Sequence, residues 1–442
     1  MKKILTILCC IATMTYGYSQ QWTTFFAYNQ VTQIAMSPER IYAISDGSLY
    51  SVDKISEQIR IYNSQSGLHS TGISCIQYDD ARNQLIIAYQ SGKIDLLTSS
   101  GVQYISDLYD KDMTQRKTVN NITISGYTAY LSTAYGVQTM NLKQNKLVNS
   151  YWLRPNGEET DIRDVVLLGD SIYAFTTDSL FCAKLSDNIV DYRYWKRELR
   201  SGRIAPDPDK GVHYNDGTSD WYAGGGEGIV RVSATERQSY KPEGPKTNIP
   251  YSLTAAKGQV WMVPGGRWAV QYSRPGVAMH YNGQQWTNIE TAYIESKTGL
   301  QALDFMNTAV DPHDPSHYFV TSYGTGLYEF RADSLVKHYL PAEDNTIVAV
   351  IPSSPALYTR LDCAVYDEDN HLWFFTTGSD KQLQCLDANG QWHAITVRTS
   401  GGTPLEIPTP TGLLIDQRNA NHKWFCIGRY AVGVTLLDDG GT

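Results

Sequence analysis

The sequence lacks an excess of basic residues, a second long apolar segment and clear helical periodicity. Its 45 Asp and Glu outnumber its 37 Lys and Arg, and the net charge of −8 disfavours a nucleic-acid scaffold or a polybasic membrane contact. Beyond the N-terminus, no stretch is long and apolar enough to span a bilayer. Only Ala292–Phe305 hints at a short helical or irregular insert.

Cysteines are few and widely spaced. Five follow the N-terminal segment, at Cys75, Cys182, Cys363, Cys385 and Cys426, and none forms a CxxC motif. Zinc-type spacing is therefore absent. Their strand-like surroundings favour buried thiols, and one disulfide within a single repeat, Cys363–Cys385, is the alternative in an oxidising compartment.

Motifs of common enzymes are also missing, including GxSxG, HExxH, the P-loop and GxGxxG. Gly224–Gly228 precedes a strand-like segment rather than a helix, so it predicts a tight turn and not a phosphate cradle. The pair Asp79 and Asp80 is expected to be solvated in a polar turn. The DPHDPSH segment, Asp311–His317, is the best candidate for a metal cluster, but its prolines and the acidic turns of other repeats favour a structural loop. We predict a non-enzymatic protein with no cofactor and no metal.

The N-terminus has the pattern of a secretory signal. A pair of lysines precedes the apolar run Ile4–Met14, and Gly17 and Ser19 stand at the −3 and −1 positions of a cut before Gln20. We predict a signal peptide over residues 1–19 and an exported mature protein.

One phrase recurs along the chain and is clearest at Asn370–Ile395, which reads as strand, Gly turn, strand, Asn-Gly turn and a strand led by Trp392. A further strand precedes each two-strand kernel, so each unit has four strands. A period near 40–50 residues with four short strands is typical of β-propeller blades, which bury their faces against each other. The nine kernels begin at Ile41, Leu85, Ala129, Ile172, Trp221, Val260, Tyr318, Leu372 and Lys423.

These repeats predict an all-β fold: a β-propeller of about seven four-stranded blades, followed by the start of a second propeller. We expect the first propeller over residues 20–343. The region 344–442 is then an incomplete second propeller, which suggests that the sequence is a truncated fragment.

The sixth copy departs from the pattern and gives the candidate binding residues. Its insert carries Arg267, Trp268, Tyr272 and Arg274. Trp beside Arg offers a stacking face and bidentate donors, which suit sugar rings and phosphate or carboxylate groups. Alternatively, Trp268 fills a gap between blades and the arginines pair with local acids. The loop Tyr151–Thr160 is a second candidate.

Three phrases identify a resemblance: VTQIAMSPERIYAISDGSLYSVD, SGLHSTGISCIQYD and PGGRWAVQYSRPG. With the signal and the repeats, they resemble the first propeller of the PorZ family, a component of the type IX secretion system of Bacteroidota. The resemblance covers essentially the whole chain. It implies two propellers and a C-terminal β-sandwich sorting domain, of which this chain lacks most of the second propeller and the whole sorting domain.

The same resemblance implies a function and partners. It implies a non-enzymatic component at the periplasm or outer-membrane cell surface that binds anionic lipopolysaccharide and assists the sortase PorU, with PorV and PorQ, in anchoring cargo. The alternative is the periplasmic oligosaccharide-sensing propeller region of a hybrid two-component regulator. A propeller enzyme is disfavoured, since no acid/base set recurs near a plausible axis.

Overall fold

A computed structural model of the chain describes residues 23–199, 204–267, 271–407, 409–428 and 433–440. The predicted signal peptide and Trp268 lie outside these residues. The chain forms two compact units, Met1–Pro242 and Glu243–Thr442. Both are built almost wholly from antiparallel strands.

The first unit contains five four-stranded sheets, each made of four strands consecutive in sequence. The first strands of neighbouring sheets lie side by side, so they line the centre of the unit, and the fourth strands lie outermost. Its strands β1 to β20 are Val31–Met36, Arg40–Ser45, Ser48–Asp53, Ile59–Tyr62, Ile73–Asp79, Gln84–Tyr89, Ile94–Thr98, Gly101–Ile105, Val119–Ser125, Thr128–Thr133, Gly136–Asn141, Lys146–Tyr151, Asp164–Leu168, Ser171–Phe175, Ser179–Lys184, Lys196–Leu199, His213–Asn215, Asp220–Ala223, Ile229–Val232 and Arg237–Tyr240.

The hairpin of β2 and β3 shows how the repeated phrase folds. Asp46 and Gly47 connect the strands with φ angles of 50° and 76°. Two consecutive positive φ values define the tight turn whose twist matches that of the paired strands. Alternate residues Ile41 and Ala43 are fully buried between sheets. The predicted kernel, two strands around an Asp/Gly turn, is confirmed here.

The fifth sheet packs against the first and closes the first unit. The Val31 amide donates to the Gly225 carbonyl at 3.0 Å, and the Ile34 amide donates to Gly211 at 2.6 Å. One apolar cluster spans both sheets, with Tyr28 joining them. The first and fifth sheets therefore bury apolar groups against each other, although they are far apart in the sequence.

The second unit contains further four-stranded arrays and a final three-stranded sheet. Strand β26 bonds to both β27 and β29, which joins two arrays into one continuous sheet. The strands β21 to β35 are Ser252–Ala256, Gln259–Val263, Ala278–Tyr281, Trp286–Ile289, Phe305–Val310, His317–Gly324, Leu327–Arg331, Ser334–Tyr339, Thr359–Tyr366, Leu372–Thr376, Leu383–Leu386, Trp392–Ile395, Pro410–Asp416, Asn419–Ile427 and Gly433–Asp438.

Helical structure is sparse among the described residues, and the longer of two α-helices lies where the sequence suggested an insert. The helix Thr291–Thr298 buries Ile294 and ends at Gly299, whose left-handed backbone lets its amide bond back to Glu295. The second helix is the single turn Pro355–Tyr358. No helix in the described parts of the chain is both long and apolar enough for a transmembrane span.

The all-β, four-stranded-blade architecture is confirmed, and the described residues form nine successive strand arrays that correspond to the nine repeat copies. The compact units divide between Pro242 and Glu243. The bounds predicted from the sequence, a first propeller over 20–343 and an incomplete second one over 344–442, stay a prediction. The repeats by themselves do not reveal which sheet packs against the first. Long-range contacts decide that, and their partners are far apart in sequence.

The five cysteines among the described residues are all free, and none of them forms a disulfide. The alternative pairing Cys363–Cys385 is therefore not present. Burial raises the pKa of both thiols to about 12. Each behaves as a small apolar side chain within the core cluster of the last sheets.

Candidate binding site

Arg267, the first predicted ligand residue, is buried inside the protein and contacts other repeats. Its side chain is 1% exposed and forms an ion pair with Asp362. Its Nη1 donates to the Pro410 carbonyl at 2.7 Å, and its guanidinium carbon lies 4.9 Å from the centre of the Tyr323 ring. Arg267 thus pairs with an acid, as the alternative interpretation expected, but with one from a different repeat and not a local one.

Arg274 and Asp304 anchor the other end of the insert. The Asp304 carboxylate accepts from the amides of Ser273 at 3.1 Å and Arg274 at 2.8 Å. Arg274 Nη1 donates to the Pro264 carbonyl at 2.9 Å. A Cβ at Gly266 would stand 2.0 Å from Asp304 Oδ1, so this approach requires glycine. Burial raises the pKa of Asp304, and the two amide bonds oppose that shift.

Tyr272 is the most open of the predicted residues that the structure describes. It is 43% exposed, while Arg274 is half-buried and Arg267 is enclosed. Trp268 lies outside the described residues. The structure therefore does not display the four as one exposed cluster, and their role in ligand binding stays a prediction.

A large cavity opens in the first unit at the ends of the central strands β5, β9 and β17. Its volume is about 790 Å³. Ligand pockets commonly measure 300–1,000 Å³, so the space suits a sugar or a peptide side chain. Its lining mixes aromatic, aliphatic and charged groups, including Tyr78, Asp80, Ile122, Ile124, Asp207, Asp209, Lys210, His213 and Tyr214.

Lys210 crosses the floor of this cavity. Its Nζ donates to Asp164 Oδ1 at 2.6 Å and to Thr123 Oγ1 at 2.7 Å, which links segments of three different sheets. Asp164 is 5% exposed, so the lysine supplies the charge that its carboxylate needs inside the protein. The Lys210 ammonium is neutralised by this ion pair and offers no free positive charge to a ligand.

A second cleft of about 640 Å³ lies between the first and second sheets and shares Tyr78 with the first cavity. Tyr42 packs against Tyr62 and Tyr78, with ring centres 5.9 and 6.4 Å apart. Arg40 is held by Asp53 at 3.3 Å, whereas Arg60 stands over the Tyr62 ring at 5.1 Å. Tyrosine rings bordered by hydroxyl groups are suited to binding a saccharide.

The rim of the larger cavity is acidic. Asp80, Asp207 and Asp209 are exposed there, and Lys210 is already neutralised. Asp79, which the sequence placed in a solvated turn, is instead 3% exposed, accepting from Arg82 at 2.8 Å and Gln84 at 3.2 Å. Like charges repel, so this face favours neutral or cationic groups over anions.

Sequence reasoning missed these cavities because their walls come from several repeats. The signal that was available is the QYDDAR segment, in which Tyr78 and Asp80 flank the buried Asp79. The DPHDPSH segment, by contrast, is a self-capping turn: Asp311 accepts from the amides of His313 at 2.9 Å and Asp314 at 3.2 Å. In the described chain, no three His, Cys, Asp or Glu side chains converge as a metal site would require.

Comparison with known proteins matches this architecture to one family. Residues 41–196 match the model of the N-terminal β-propeller domain of PorZ from the type IX secretion system. The solved structure of PorZ from Porphyromonas gingivalis aligns with 95% of this chain at a TM-score of 0.79 and 22% identity. The resemblance to PorZ is confirmed. At this identity the structural match shows a common fold, and the chain spans 66% of the PorZ structure.

Two further solved structures align with lower TM-scores. The extracellular domain of a protein described as a hybrid two-component system from B. thetaiotaomicron aligns at a TM-score of 0.31 and 13% identity, over 95% of this chain and 59% of its own. BamB from Moraxella catarrhalis aligns at 0.28 and 11% identity, over 80% of this chain and 96% of its own. No curated protein matches the sequence.

Proposed function

We propose that this chain is part of an exported, non-enzymatic binding scaffold of a type IX secretion system. The observation that carries the proposal is the match of residues 41–196 to the PorZ propeller model, together with the PorZ-like fold over nearly the whole chain. PorZ of P. gingivalis is described as an essential bacterial surface component of that system.

The bonding of the acids and histidines supports a non-enzymatic role. His317 lies between Asp311 and Glu329, at 3.2 and 3.0 Å. His69 Nδ1 bonds at 2.8 Å to Asp95, which is fully buried. Such groups serve structural hydrogen bonds, whereas a general acid or base must reach a substrate proton.

The finer parts of the proposal follow from the resemblance. The protein binds anionic lipopolysaccharide at the periplasmic or outer-membrane surface. It assists a PorU-type sortase, with PorV and PorQ as partners, in anchoring cargo proteins. The signal over residues 1–19 delivers it across the inner membrane, and the acidic cavity rim of the first unit directs the anionic ligand to other surfaces.

Gene deletion tests the secretion role. In the bacterium that encodes the chain, deletion should abolish surface anchoring of type IX cargo, which then accumulates unmodified in the periplasm or medium. Restoring the intact gene should restore anchoring, whereas a vector without it should not. Normal anchoring in the deletion strain would contradict the proposal.

A further inference from the structure

Arg360 is the second residue of strand β29 and lies over the rings of two tyrosines. Its backbone pairs with Tyr323 across the sheet. The guanidinium carbon lies 5.1 Å from the centre of the Tyr323 ring and 5.8 Å from that of Tyr358. Stacking on aromatic faces fixes the guanidinium plane and reduces the rotamer freedom that binding would otherwise cost.

The charge of Arg360 has no protein counterpart within the described residues. Its Nε is buried without a hydrogen-bond partner, and no carboxylate lies within ion-pair distance of the guanidinium. Asp362, two residues on along the same face of β29, pairs with Arg267 instead. The pair Arg267–Asp362 is neutral, so Arg360 leaves one positive charge beside it.

Other arginines in the described ranges show that this arrangement is unusual for the chain. Most are ion-paired, as Arg331 is with Asp314 at 2.7 Å. Three more have guanidinium groups without a hydrogen bond or ion pair, but they are exposed and water solvates them: Arg60, Arg116 and Arg418. Arg360 is half-buried, so it is partly withdrawn from water and receives no compensating acceptor.

We propose that Arg360 binds the anionic group of the glycan ligand, a carboxylate or a phosphate. Both are acceptors that the planar guanidinium recognises. Tyr323 and Tyr358 hold the guanidinium of Arg360 in place. The guanidinium of Arg267 also contacts the Tyr323 ring and so helps to fix that tyrosine. That the anion belongs to a glycan rests on the proposed function; that Arg360 binds an anion does not.

Thermal shift with simple anions tests the site itself. Pyrophosphate and trigalacturonate, added separately to the purified chain, should raise the unfolding temperature in at least one case, because a ligand that binds the folded state stabilises it. Arg360→Gln should lose that shift. Arg331→Gln, which removes an exposed ion-paired arginine of the same unit, should keep it. Absence of any shift in the unaltered chain, or an equal shift in Arg360→Gln, would overturn the site.

Binding to lipopolysaccharide then tests the ligand class. Biolayer interferometry should show at least tenfold weaker binding of Arg360→Gln to lipopolysaccharide purified from the encoding bacterium, and less than twofold change for Arg331→Gln. Dephosphorylated and carboxyl-reduced lipopolysaccharide identify which anion is bound, because only loss of that group should weaken the unaltered chain. If Arg360→Gln binds the simple anions at least tenfold more weakly than the unaltered chain but binds lipopolysaccharide equally well, Arg360 lies outside the glycan site. That result would overturn the glycan assignment. The deletion phenotype tests the secretion role independently.

Discussion

The Tyr50 hydroxyl donates to the main-chain carbonyl of Tyr240 at 3.1 Å and accepts from the Ile229 amide at 3.0 Å. These residues are far apart in sequence, yet the bonds join the first sheet of the first unit to the fifth. Tyr50 is fully buried, and burial raises the pKa of its hydroxyl far above its usual range. The phenol remains neutral and keeps its proton for this closure at any ordinary pH.

Tyr50→Phe should destabilise the first unit by about 1–3 kcal/mol, since it leaves a buried carbonyl and a buried amide without a partner. The change should appear as a lower midpoint of urea unfolding for this unit, monitored by hydrogen exchange of β1 and β19. Tyr127→Phe is the matched control, because Tyr127 is 62% exposed. Equal midpoints for the two variants would show that this bond does not hold the ring closed.

The closing bond illustrates what sequence alone can and cannot predict. The Asp46–Gly47 hairpin follows from local turn chemistry and alternation, which are complete within a dozen residues. The pairing of Tyr50 with Tyr240 depends on how many sheets complete a ring, which no single repeat encodes. Hence the sequence predicts the blades, whereas the bonds between sheets that are far apart in the chain become visible only in the structure.

The candidate site shows the same limit. An Arg-Trp pair in an insert suggests a ligand, but the carboxylate that engages Arg267 is Asp362, on a different repeat. Conversely, Arg360 stands in an unremarkable strand-like context and becomes notable only because its neighbours leave its charge unpaired. Sequence patterns reveal which residue types are present, and tertiary contacts decide which of them remain available.

Lys210 should be essential to the stability of the first unit. Lys210→Met removes the counter-charge of buried Asp164 and should cost about 3–5 kcal/mol, as measured by denaturant unfolding. Replacing both groups, in Lys210→Met with Asp164→Leu, should recover most of that loss because no unpaired charge remains. A double variant as unstable as Lys210→Met would mean that packing of the lysine stem matters more than its charge.

The His317 network should make the stability of the second unit depend on pH. The hydrogen bond with Glu329 raises the pKa of His317, although burial opposes it. A histidine whose pKa is raised by folding stabilises the native state below its unfolded pKa of about 6.5, and that contribution is lost as pH rises through the folded value. The unfolding midpoint should therefore fall as the solution is made alkaline.

Stability should also fall at acidic pH, so the plot of unfolding midpoint against pH should have an acidic limb besides the alkaline one. Burial alone would raise the pKa of Glu329, but the hydrogen bonds from His317 and Tyr339 outweigh it and the pKa is lowered. Stability from Glu329 is present above its unfolded pKa and is lost as pH falls through the folded value. His317→Gln should abolish the alkaline limb, whereas His313→Gln, at an exposed position of the same loop, should leave it unchanged. A persistent alkaline limb in His317→Gln would assign it to another group.

Two substitutions in the predicted insert distinguish a structural role from a role in ligand binding. Arg267→Met leaves the Asp362 carboxylate buried without its partner and should destabilise the second unit by about 3–5 kcal/mol. Tyr272→Ala removes a 43% exposed ring and should change the free energy of unfolding by less than about 0.5 kcal/mol. If the insert contacts glycan, Tyr272→Ala should still weaken lipopolysaccharide binding, because the exposed ring is the part a ligand can reach. Calorimetry and interferometry on the same preparations measure both quantities. If Arg267→Met were fully stable but no longer bound lipopolysaccharide, Arg267 would be a ligand-binding residue and not a structural one.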